Sequence, residues 1–431
     1  MRKIFSDLLK GDKGLWSVFL FLCAISMVEV FSASSSLTYH TSDQFVPIGK
    51  HIMSLGGGFL LAFFFHKIIR IKYLTDYVIY AYWGVCVFLL LIVSLSSVGG
   101  TINGAARWIR IGGFTVQPSE WTKLAIVMVT AMILAKNQLE NNADGKKVFK
   151  NIWLAVVPIL LIFKENASTG LILSAVVFFM LCVGRVKWAF LFKFILVCVA
   201  MLSAFLFTPK SLWHAVGVTR IETFHSRLWS WADEIGQDEV PPEEYDLKKN
   251  IQRAHADMAV SSAGIIGCLP GNSVQRDHLP QAYSDFIFAI IIEELGLVGA
   301  AGVMFLYFVL FIRAGQMACR CRDNPFKAYL IMGLALVIVF QALVNMAVAV
   351  HIMPVTGQPL PLISRGINSV LVTSVMFGLM LSASWEEKKE EKVRREAEEA
   401  EKIEEARMLA RAMKQLEVEE AAALENEDIT E

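Results

Sequence analysis

Long apolar runs separated by short polar loops extend from residue 16 to residue 384 of the 431-residue chain. A helix that crosses a membrane needs about 20 consecutive, mostly apolar residues. By this criterion the pattern predicts ten spans, at roughly 16–34, 48–66, 77–97, 118–136, 149–164, 168–184, 188–208, 285–313, 328–352 and 367–384. The predicted fold class is therefore all-α, that of a polytopic membrane protein with ten transmembrane helices.

Two long polar segments accompany these runs. Residues 209–284 form one large loop between the seventh and eighth predicted spans, and residues 385–431 form a charged tail. The tail is rich in Glu, Lys, Arg and Ala, which favour helix, and many of its opposite charges are four residues apart. We therefore divide the chain into a membrane domain, 1–384, and a helical tail, 385–431. The pattern leaves open whether the tail is a solvated helix or a partner-binding coil.

Composition and charge indicate the environment and the orientation. With 55% hydrophobic residues, the chain is too apolar for a soluble globular protein of this length. Lys and Arg are concentrated in one set of short loops, whereas the short loops on the opposite side hold few. The positive-inside rule then places both termini in the cytoplasm and the large loop outside it. Nothing in this distribution indicates nucleic-acid binding.

The seven cysteines predict neither a disulfide framework nor a metal centre. Four of them lie in apolar runs, and only Cys268 lies in the large loop. Cys319 and Cys321 have the spacing of a metal-binding pair, but no His partner is nearby in the sequence. We therefore expect free thiols and no metal site built from protein side chains alone.

Asp285 is the most informative single residue. It stands at the start of the eighth predicted span and is followed at once by Phe-Ile-Phe-Ala-Ile-Ile-Ile. A charge beside hydrocarbon costs a few kcal/mol on insertion scales, so such a residue is a functional candidate by default. The alternative is a solvated helix cap, because Ser284 and Asp285 also suit a helix N-terminus.

Three polar clusters are predicted to meet on the extracytoplasmic side. The first contains Arg107, Glu120 and Lys123; the second contains Gln275, Asp277 and Asp285, with Glu293 and Glu294 further along; the third contains Ser364 and Arg365. Two prolines and two glycines in the third cluster indicate a re-entrant or broken segment, which needs protein or water around it. Glu120 and Lys123 could either pair to pin their helix or line a wet cavity.

A cavity built from these clusters would suit a substrate with a lipid body, an anionic phosphate and a sugar. Arginine side chains such as Arg107 and Arg365 match phosphate oxygens through planar donors. A carboxylate at the water boundary could take a proton from a sugar hydroxyl. The clusters therefore predict chemistry on a lipid-linked sugar at the membrane surface.

The motifs NGAARWIRIGGFTVQPSEWTKL, GNSVQRDHLPQAYSDFIFAIIIEELG and GQPLPLISRG resemble those of the SEDS family (shape, elongation, division and sporulation), over about residues 15–384. The GNSVQ run resembles the division branch, typified by FtsW, more than the elongation branch, typified by RodA. The resemblance implies a ten-span peptidoglycan glycosyltransferase of the bacterial cytoplasmic (inner) membrane. Such enzymes polymerise lipid II into glycan strands on the outer side and release undecaprenyl diphosphate.

The resemblance also implies partners and site residues. The expected partners are lipid II, a cognate class B penicillin-binding protein, other division-machinery membrane proteins at the septum, and membrane lipids. The essential acid of the family falls on Asp285 and a second loop acid falls on Asp277, and we take both as candidate catalytic residues. Substrate-binding positions fall on Arg107, Glu120 and Lys123, and we add Gln275, Ser364 and Arg365 from the same motifs.

Several positions depart from the family pattern. Gln281 and Tyr283 replace an acid and a His, so catalysis cannot depend on those family side chains here. Arg365 replaces a Tyr and Ile367 replaces a Gly; the extra cation could add phosphate binding or alter partner contacts. The segment 166–170 lacks the Pro and Asp of its family counterpart and receives no catalytic role.

In the expected mechanism, Asp285 deprotonates the 4-hydroxyl of the acceptor sugar, which displaces diphosphate from the donor with inversion. Arg107, Lys123 or a divalent cation such as Mg²⁺ or Mn²⁺ could stabilise the diphosphate. Three alternatives remain open at this point: a lipid II flippase, an elongation polymerase of the RodA type, and a division scaffold without activity.

Overall fold

Each of the ten apolar runs forms a helix in the computed structural model, which describes residues 10–33, 45–95, 100–102, 105–111, 114–139, 142–207, 226–232, 251–279, 281–321 and 323–428. The helices are α1 Lys13–Ala33, α2 Phe45–Lys67, α3 Asp76–Leu95, α4 Pro118–Lys136, α5 Gly145–Asn151, α6 Trp153–Glu165, α7 Ala167–Val183, α8 Trp188–Phe207, α9 Ile251–Ser262, α10 Ile287–Arg320, α11 Pro325–Ala349 and α12 Ile367–Asp428. Short 3-10 turns occupy Ile71–Tyr73 and Gln275–Asp277, and residues 226–232 are also helical.

Within the described residues, seven helices are long and apolar enough to cross a membrane. They are α1, α2, α3, α4, α10, α11 and α12. The fifth and sixth predicted spans correspond to shorter helices, α6 with 13 residues and α7 with 17. The seventh corresponds to α8 with 20 residues. The prediction of a helical membrane protein with many spanning helices is confirmed.

The centre of the bundle is formed by α4, α11 and the first part of α12, whose side chains are mostly buried. Apolar side chains on α2, α3 and the second half of α10 are exposed instead, for example Phe88 and Phe305. Exposed apolar faces on long helices suit contact with lipid chains rather than water. The burial pattern therefore separates an inner group of helices from a lipid-facing rim.

The prediction of an all-α fold is wrong between α3 and α4. Here β1 Gly100–Ile102, β2 Ala105–Ile111 and β3 Phe114–Val116 form a three-stranded antiparallel sheet in the order β1-β2-β3. Thr101 pairs with Ala106, and Arg110 pairs with Thr115. The sequence carried the signal, because Asn-Gly and Gly-Gly dipeptides separate the three strands and are typical of tight hairpins.

The predicted eighth span, 285–313, is not one continuous helix, because α10 is broken at Gly296. Gly296 has φ 69° and ψ −171°, which lie far from helical values. The peptide N–H groups of Leu297 and Val298 donate to the carbonyl oxygens of Gly264 and Ile265, both at 3.2 Å. The backbone N–H groups that the break releases are thus hydrogen-bonded to the segment that follows Ser262.

The break gives the two halves of α10 different surroundings. From Ile287 to Glu294 every side chain is buried. Beyond the break, Leu297 and Val298 are 58% and 64% exposed, as expected for lipid contact. The first half is therefore enclosed by protein, and only the second half has the appearance of a membrane-spanning segment.

The large predicted loop is only partly described. Residues 209–225 and 233–250, together with Pro280, lie outside the described residues. The described remainder contains helix 226–232, where Arg227 donates to the Val355 carbonyl at 3.2 Å. It also contains α9, whose buried alanines pack towards the interior. The loop thus covers the irregular segment that follows α11.

The last helix crosses the predicted domain boundary at residue 384 without interruption, since α12 runs for 62 residues. The turns that follow this boundary are attached to the body by ion pairs. Lys327 lies 3.5 Å from Glu386 and 2.7 Å from Glu390, and Arg394 lies 2.7 Å from Asp323. The helical tail that the composition predicts is therefore an extension of the last span.

Gly296→Ala tests whether the break is built into the fold. The φ and ψ of Gly296 belong to a region that only glycine occupies readily, at a cost of about 1–3 kcal/mol for other residues. A Cβ there would also lie 2.3 Å from the Ile265 carbonyl oxygen. We expect a clearly lowered melting temperature in detergent. Gly302→Ala on the same helix is the control, because nothing lies within 4 Å of its added Cβ. Equal melting temperatures for the two variants would contradict this account.

Candidate active site

Asp285 begins the buried half of α10 and is held by its backbone. Its carbonyl oxygen accepts a hydrogen bond from Asn345 Nδ2 at 2.9 Å. Ser284 Oγ donates to the Asp285 carboxylate at 3.0 Å. Gly357 lies beside the other carboxylate oxygen, since a Cβ built on it would be 3.5 Å from Asp285 Oδ2. The carboxylate is half-buried at a fixed position between α11 and the third motif.

The second and third motifs are joined directly. Ser364 Oγ donates to the Ser284 carbonyl at 2.6 Å and accepts from the Leu360 N–H at 2.7 Å. The Arg365 N–H donates to the Tyr283 carbonyl at 2.9 Å. Ser364 is buried, so in this arrangement its hydroxyl fastens the turn that carries Asp285. The predicted convergence of these two motifs at Asp285 is observed.

Side-chain amides hold the irregular third motif in place. Asn345 Nδ2 also donates to the Gln358 carbonyl at 2.8 Å, and Gln341 Nε2 donates to the Pro359 carbonyl at 2.9 Å. Gln358 Nε2 in turn donates to Thr169 Oγ1 at 2.7 Å. Gln341 and Asn345 were not among the predicted site residues. An amide inside an apolar span was the signal that could have identified them, because polar side chains there usually bond to neighbouring helices.

The first motif reaches the same place through an ion pair. Lys123 Nζ lies 2.8 Å from Glu120 Oε1, with 3% and 8% of the two side chains exposed. Lys123 also donates to Gln341 Oε1 at 2.9 Å, which links the pair to the third motif. Glu120 and Lys123 are therefore paired, and the pair is part of the same network as Asp285.

Two buried acids further along the second motif, Glu293 and Glu294, hold the segment before them in place. Glu293 accepts hydrogen bonds from Ser273 Oγ at 2.5 Å, the Val274 N–H at 2.9 Å and the Gln275 N–H at 3.3 Å. Glu294 accepts from Ser32 of α1 and lies 3.8 Å from Arg276. These buried carboxylates fix the 271–277 segment against α10.

Gln275 and Asp277 lie on that segment. Their side chains bond to His255 and Arg276, respectively. Gln275 Oε1 is hydrogen-bonded to His255 Nδ1 of α9 at 2.8 Å. Asp277 is exposed and lies 3.7 Å from Arg276 Nε. The segment is connected to Asp285 through consecutive turns of the chain. Asp277 is thus at the surface of the loop.

The two predicted arginines differ in what the structure describes. Arg107 lies in β2, and its side chain is outside the described residues. The Arg365 guanidinium lies over the Tyr283 ring, 5.2 Å from its centroid. Burial lowers the pKa of Arg365, but arginine is effectively always protonated in proteins, so the group remains a cation.

Helix N-termini add to the positive side of the site. The α4, α7 and α12 helices begin close to the motifs, through Lys123, Thr169 and Asn368 respectively. Their first N–H groups and dipoles favour anions. The cationic and N–H-rich surfaces can bind an anionic group. The half-buried carboxylate can accept a proton next to that group.

An apolar cavity of about 470 Å³ lies between α1 and α2, next to Pro270 and Gly271. Its lining is mostly aliphatic and aromatic, with Ser32 and His51 as polar exceptions. Asp285 lies outside this cavity. The lining suits hydrocarbon rather than a sugar.

Comparison with known proteins assigns the family. The model of the FtsW/RodA/SpoVE family, described as cell cycle proteins, matches residues 13–389. The chain belongs to this family. It is 30% identical over 395 residues to the probable peptidoglycan glycosyltransferase FtsW of Xanthomonas oryzae pv. oryzae, covering 90% of this chain and 76% of that protein.

Two solved structures share the fold of this family member. The rod shape determining protein RodA of Thermus thermophilus matches with a TM-score of 0.59 and 24% identity, covering 88% of this chain and 98% of that one. A chain of a peptidoglycan synthase complex that coordinates polymerization and crosslinking matches with a TM-score of 0.64, 24% identity and the same coverages. At this identity the likeness shows the fold.

Lys123→Met tests the buried ion pair. Removing one partner of a buried pair leaves an uncompensated charge and typically costs about 3–5 kcal/mol. We expect a large fall in the melting temperature of the purified protein in detergent. The double variant Glu120→Gln/Lys123→Met should recover a substantial part of it, because no buried charge is left alone. A single variant as stable as the native protein would show that the pair is not needed for the fold.

Proposed function

We propose that this protein is a peptidoglycan glycosyltransferase that polymerises lipid II into glycan strands during septal wall synthesis and releases undecaprenyl diphosphate. Family membership supports the reaction class. The observation that carries the assignment to a site is the hydrogen-bonded network that joins all three motifs around Asp285. A family member that only bound partners would not require a carboxylate placed at that junction.

Asp285 is the general base in this proposal. It takes the proton from the 4-hydroxyl of the acceptor N-acetylglucosamine, and that oxygen bonds to the anomeric carbon of the donor N-acetylmuramic acid. The bond to the diphosphate oxygen breaks, the anomeric centre inverts, and diphosphate leaves with the electron pair. General-base help is typically worth about 10²–10⁴-fold, and the remainder comes from positioning and charge stabilisation.

The other predicted residues have supporting roles. Arg107, Arg365 and the Glu120–Lys123 pair contribute to binding the anionic donor, and Gln275 and Asp277 contact substrate from the loop under α9. Ser364 acts by holding the turn of Asp285. The apolar cavity beside Gly271 supports a substrate that carries a long lipid chain.

A divalent cation fits this site only together with the substrate. Within the described part of the chain, no group of three or more His, Cys, Asp or Glu side chains is placed to hold a metal ion. Mg²⁺ is commonly held by one or two carboxylates and substrate phosphates. Mg²⁺ or Mn²⁺ would therefore be bound mainly by diphosphate oxygens, with Asp277 or Asp285 supplying one carboxylate oxygen.

The topology belongs to the same proposal. Ten helices cross the cytoplasmic membrane, both termini and the tail 385–431 lie in the cytoplasm, and the end with Asp285 faces outward. The loop charges support this orientation. The cognate partner is a class B penicillin-binding protein, in line with the shared fold of a chain from a peptidoglycan synthase complex. Other division proteins complete the assembly at the septum.

A lipid II flippase is the main alternative, and an elongation polymerase is the narrower one. Carriers place their binding site near the bilayer midplane between paired broken helices. Here the polar network gathers at one end of the bundle, which favours surface chemistry. Localisation at the sidewall instead of midcell would favour the elongation role.

Asp285→Asn provides the direct test of the reaction. The variant keeps the shape of the side chain but cannot accept the proton, so we expect at least a 100-fold loss of glycan formation from labelled lipid II by the purified protein with its cognate crosslinking partner. The melting temperature should remain near that of the native protein. Asp323→Asn, the same change at an exposed cytoplasmic ion pair, should keep full activity. Near-normal polymer from Asp285→Asn would refute the assignment, and lipid II transfer between leaflets without polymer would favour the flippase.

Truncation of the tail separates the enzyme from the scaffold. The last contact of the tail with the body in the described residues is Arg394–Asp323, so the chain should be cut after Arg395. We expect the truncated protein to retain its turnover in vitro. Cutting after Trp385 is the contrasting variant, because it removes both carboxylate partners of the buried Lys327 and should lower stability. Loss of turnover on cutting after Arg395, at unchanged melting temperature, would contradict a purely auxiliary tail.

A further inference from the structure

Tyr283 and Arg365 form one contact at the rim of the site. The guanidinium lies 5.2 Å from the centroid of the Tyr283 ring, within the range of a cation–π interaction. The backbones of the same two residues are joined by the 2.9 Å hydrogen bond from the Arg365 N–H to the Tyr283 carbonyl. Both side chains are half-buried. The two residues therefore act as one unit, even though 82 positions separate them in the sequence.

This unit coincides with two departures from the family pattern. The resemblance places a His at position 283 and a Tyr at position 365, and this chain has Tyr and Arg instead. Considered separately, each change is unexplained. The contact relates the two changes to each other, because the Tyr283 ring covers one face of the Arg365 guanidinium.

The Tyr283 ring orients the Arg365 guanidinium without using its N–H donors. No described residue accepts a hydrogen bond from its nitrogens. Stacking on a ring leaves the in-plane N–H donors of arginine accessible, and these donors match phosphate oxygens in pairs. Ser364, the residue before Arg365, bonds to Ser284, the residue before Asp285. Arg365 is thus anchored, through its backbone and through Ser364, to the turn that carries the proposed base.

We propose that Tyr283 is a positioning residue that holds the Arg365 guanidinium for the diphosphate of the lipid-linked donor. The inference rests on the proposed function, since it names the group that binds that donor. Tyr283 does not itself touch the reacting atoms. It orders a flexible side chain before the substrate arrives, which reduces the entropy lost on binding.

The test uses the full-length protein in detergent and two readouts. The first is binding of undecaprenyl diphosphate, with undecaprenol as the uncharged control lipid, and the second is KM and kcat for lipid II. The variants are Tyr283→Leu, Tyr283→Phe, Arg365→Gln and the double variant Tyr283→Leu/Arg365→Gln. Melting temperatures are recorded for all four.

We expect Tyr283→Leu and Arg365→Gln each to weaken diphosphate binding and to raise KM by about 3- to 10-fold, the range that a partly shielded cation–π contact corresponds to. The kcat should change little, and undecaprenol binding should not change. Tyr283→Phe retains the ring face and should stay within about twofold of the native protein. The double variant should be no worse than Arg365→Gln, because both changes remove the same interaction.

Three results would overturn the proposal: native-like diphosphate binding by Tyr283→Leu, an equally large loss in Tyr283→Phe, or additive losses in the double variant. A fall in kcat and melting temperature with unchanged diphosphate affinity would also overturn it, since that result describes a structural contact. Failure of the proposed function gives a different result. In that case the native protein makes no glycan with its partner, while the diphosphate binding series still tests the pair.

Discussion

The carboxamide of Asn345 joins two non-helical backbone segments that lie among membrane helices. It donates to the carbonyl oxygens of Asp285 and Gln358, which belong to the start of α10 and to the irregular third motif. Within a bilayer, non-helical backbone is tolerated only where protein or trapped water satisfies it. A buried polar group without a partner costs about 1–3 kcal/mol. The position of Asp285 therefore depends on side chains that supply the missing hydrogen bonds.

The same requirement explains why the membrane domain contains so many buried polar residues. Gln341, Tyr307 and Ser26 each donate to one carbonyl of the third motif, those of Pro359, Pro361 and Ile363. The Glu293 carboxylate, in contrast, accepts hydrogen bonds from the donor groups of residues 273–275. Gln341, Tyr307 and Ser26 lie on three different helices and hold one shared segment, so removal of any one of them loosens it. These buried polar groups thus support the backbone of the site.

Hydropathy predicted the positions of the helices well, because each apolar run encodes its own local structure. It also predicted the convergence of the Asp285 and Arg365 motifs, since loop charges and motif order place both at one end. The β1–β3 sheet was missed because strands of 3 to 7 residues are too short to give a clear hydropathy pattern of their own. The roles of Gln341 and Asn345 were missed because they depend on partners 13 to 218 residues away, which no local pattern encodes. The Glu293 side chain was noted as an intramembrane charge, but its three hydrogen-bond partners, one hydroxyl and two backbone N–H groups, became visible only in three dimensions.

The break at Gly296 changes the meaning of the charge that first drew attention to Asp285. The part of α10 after the break contains roughly 24 residues, or about 36 Å of helix, which is sufficient for a hydrocarbon core of about 30 Å. The segment 287–294 is therefore not needed to cross the bilayer, and the burial of all its side chains shows that protein surrounds it. Asp285, two residues before this segment, is bonded to the Ser284 hydroxyl and the Asn345 amide. The fold avoids the insertion cost that makes Asp285 conspicuous in the sequence, because the break at Gly296 separates the acid from the part of the helix that crosses the membrane.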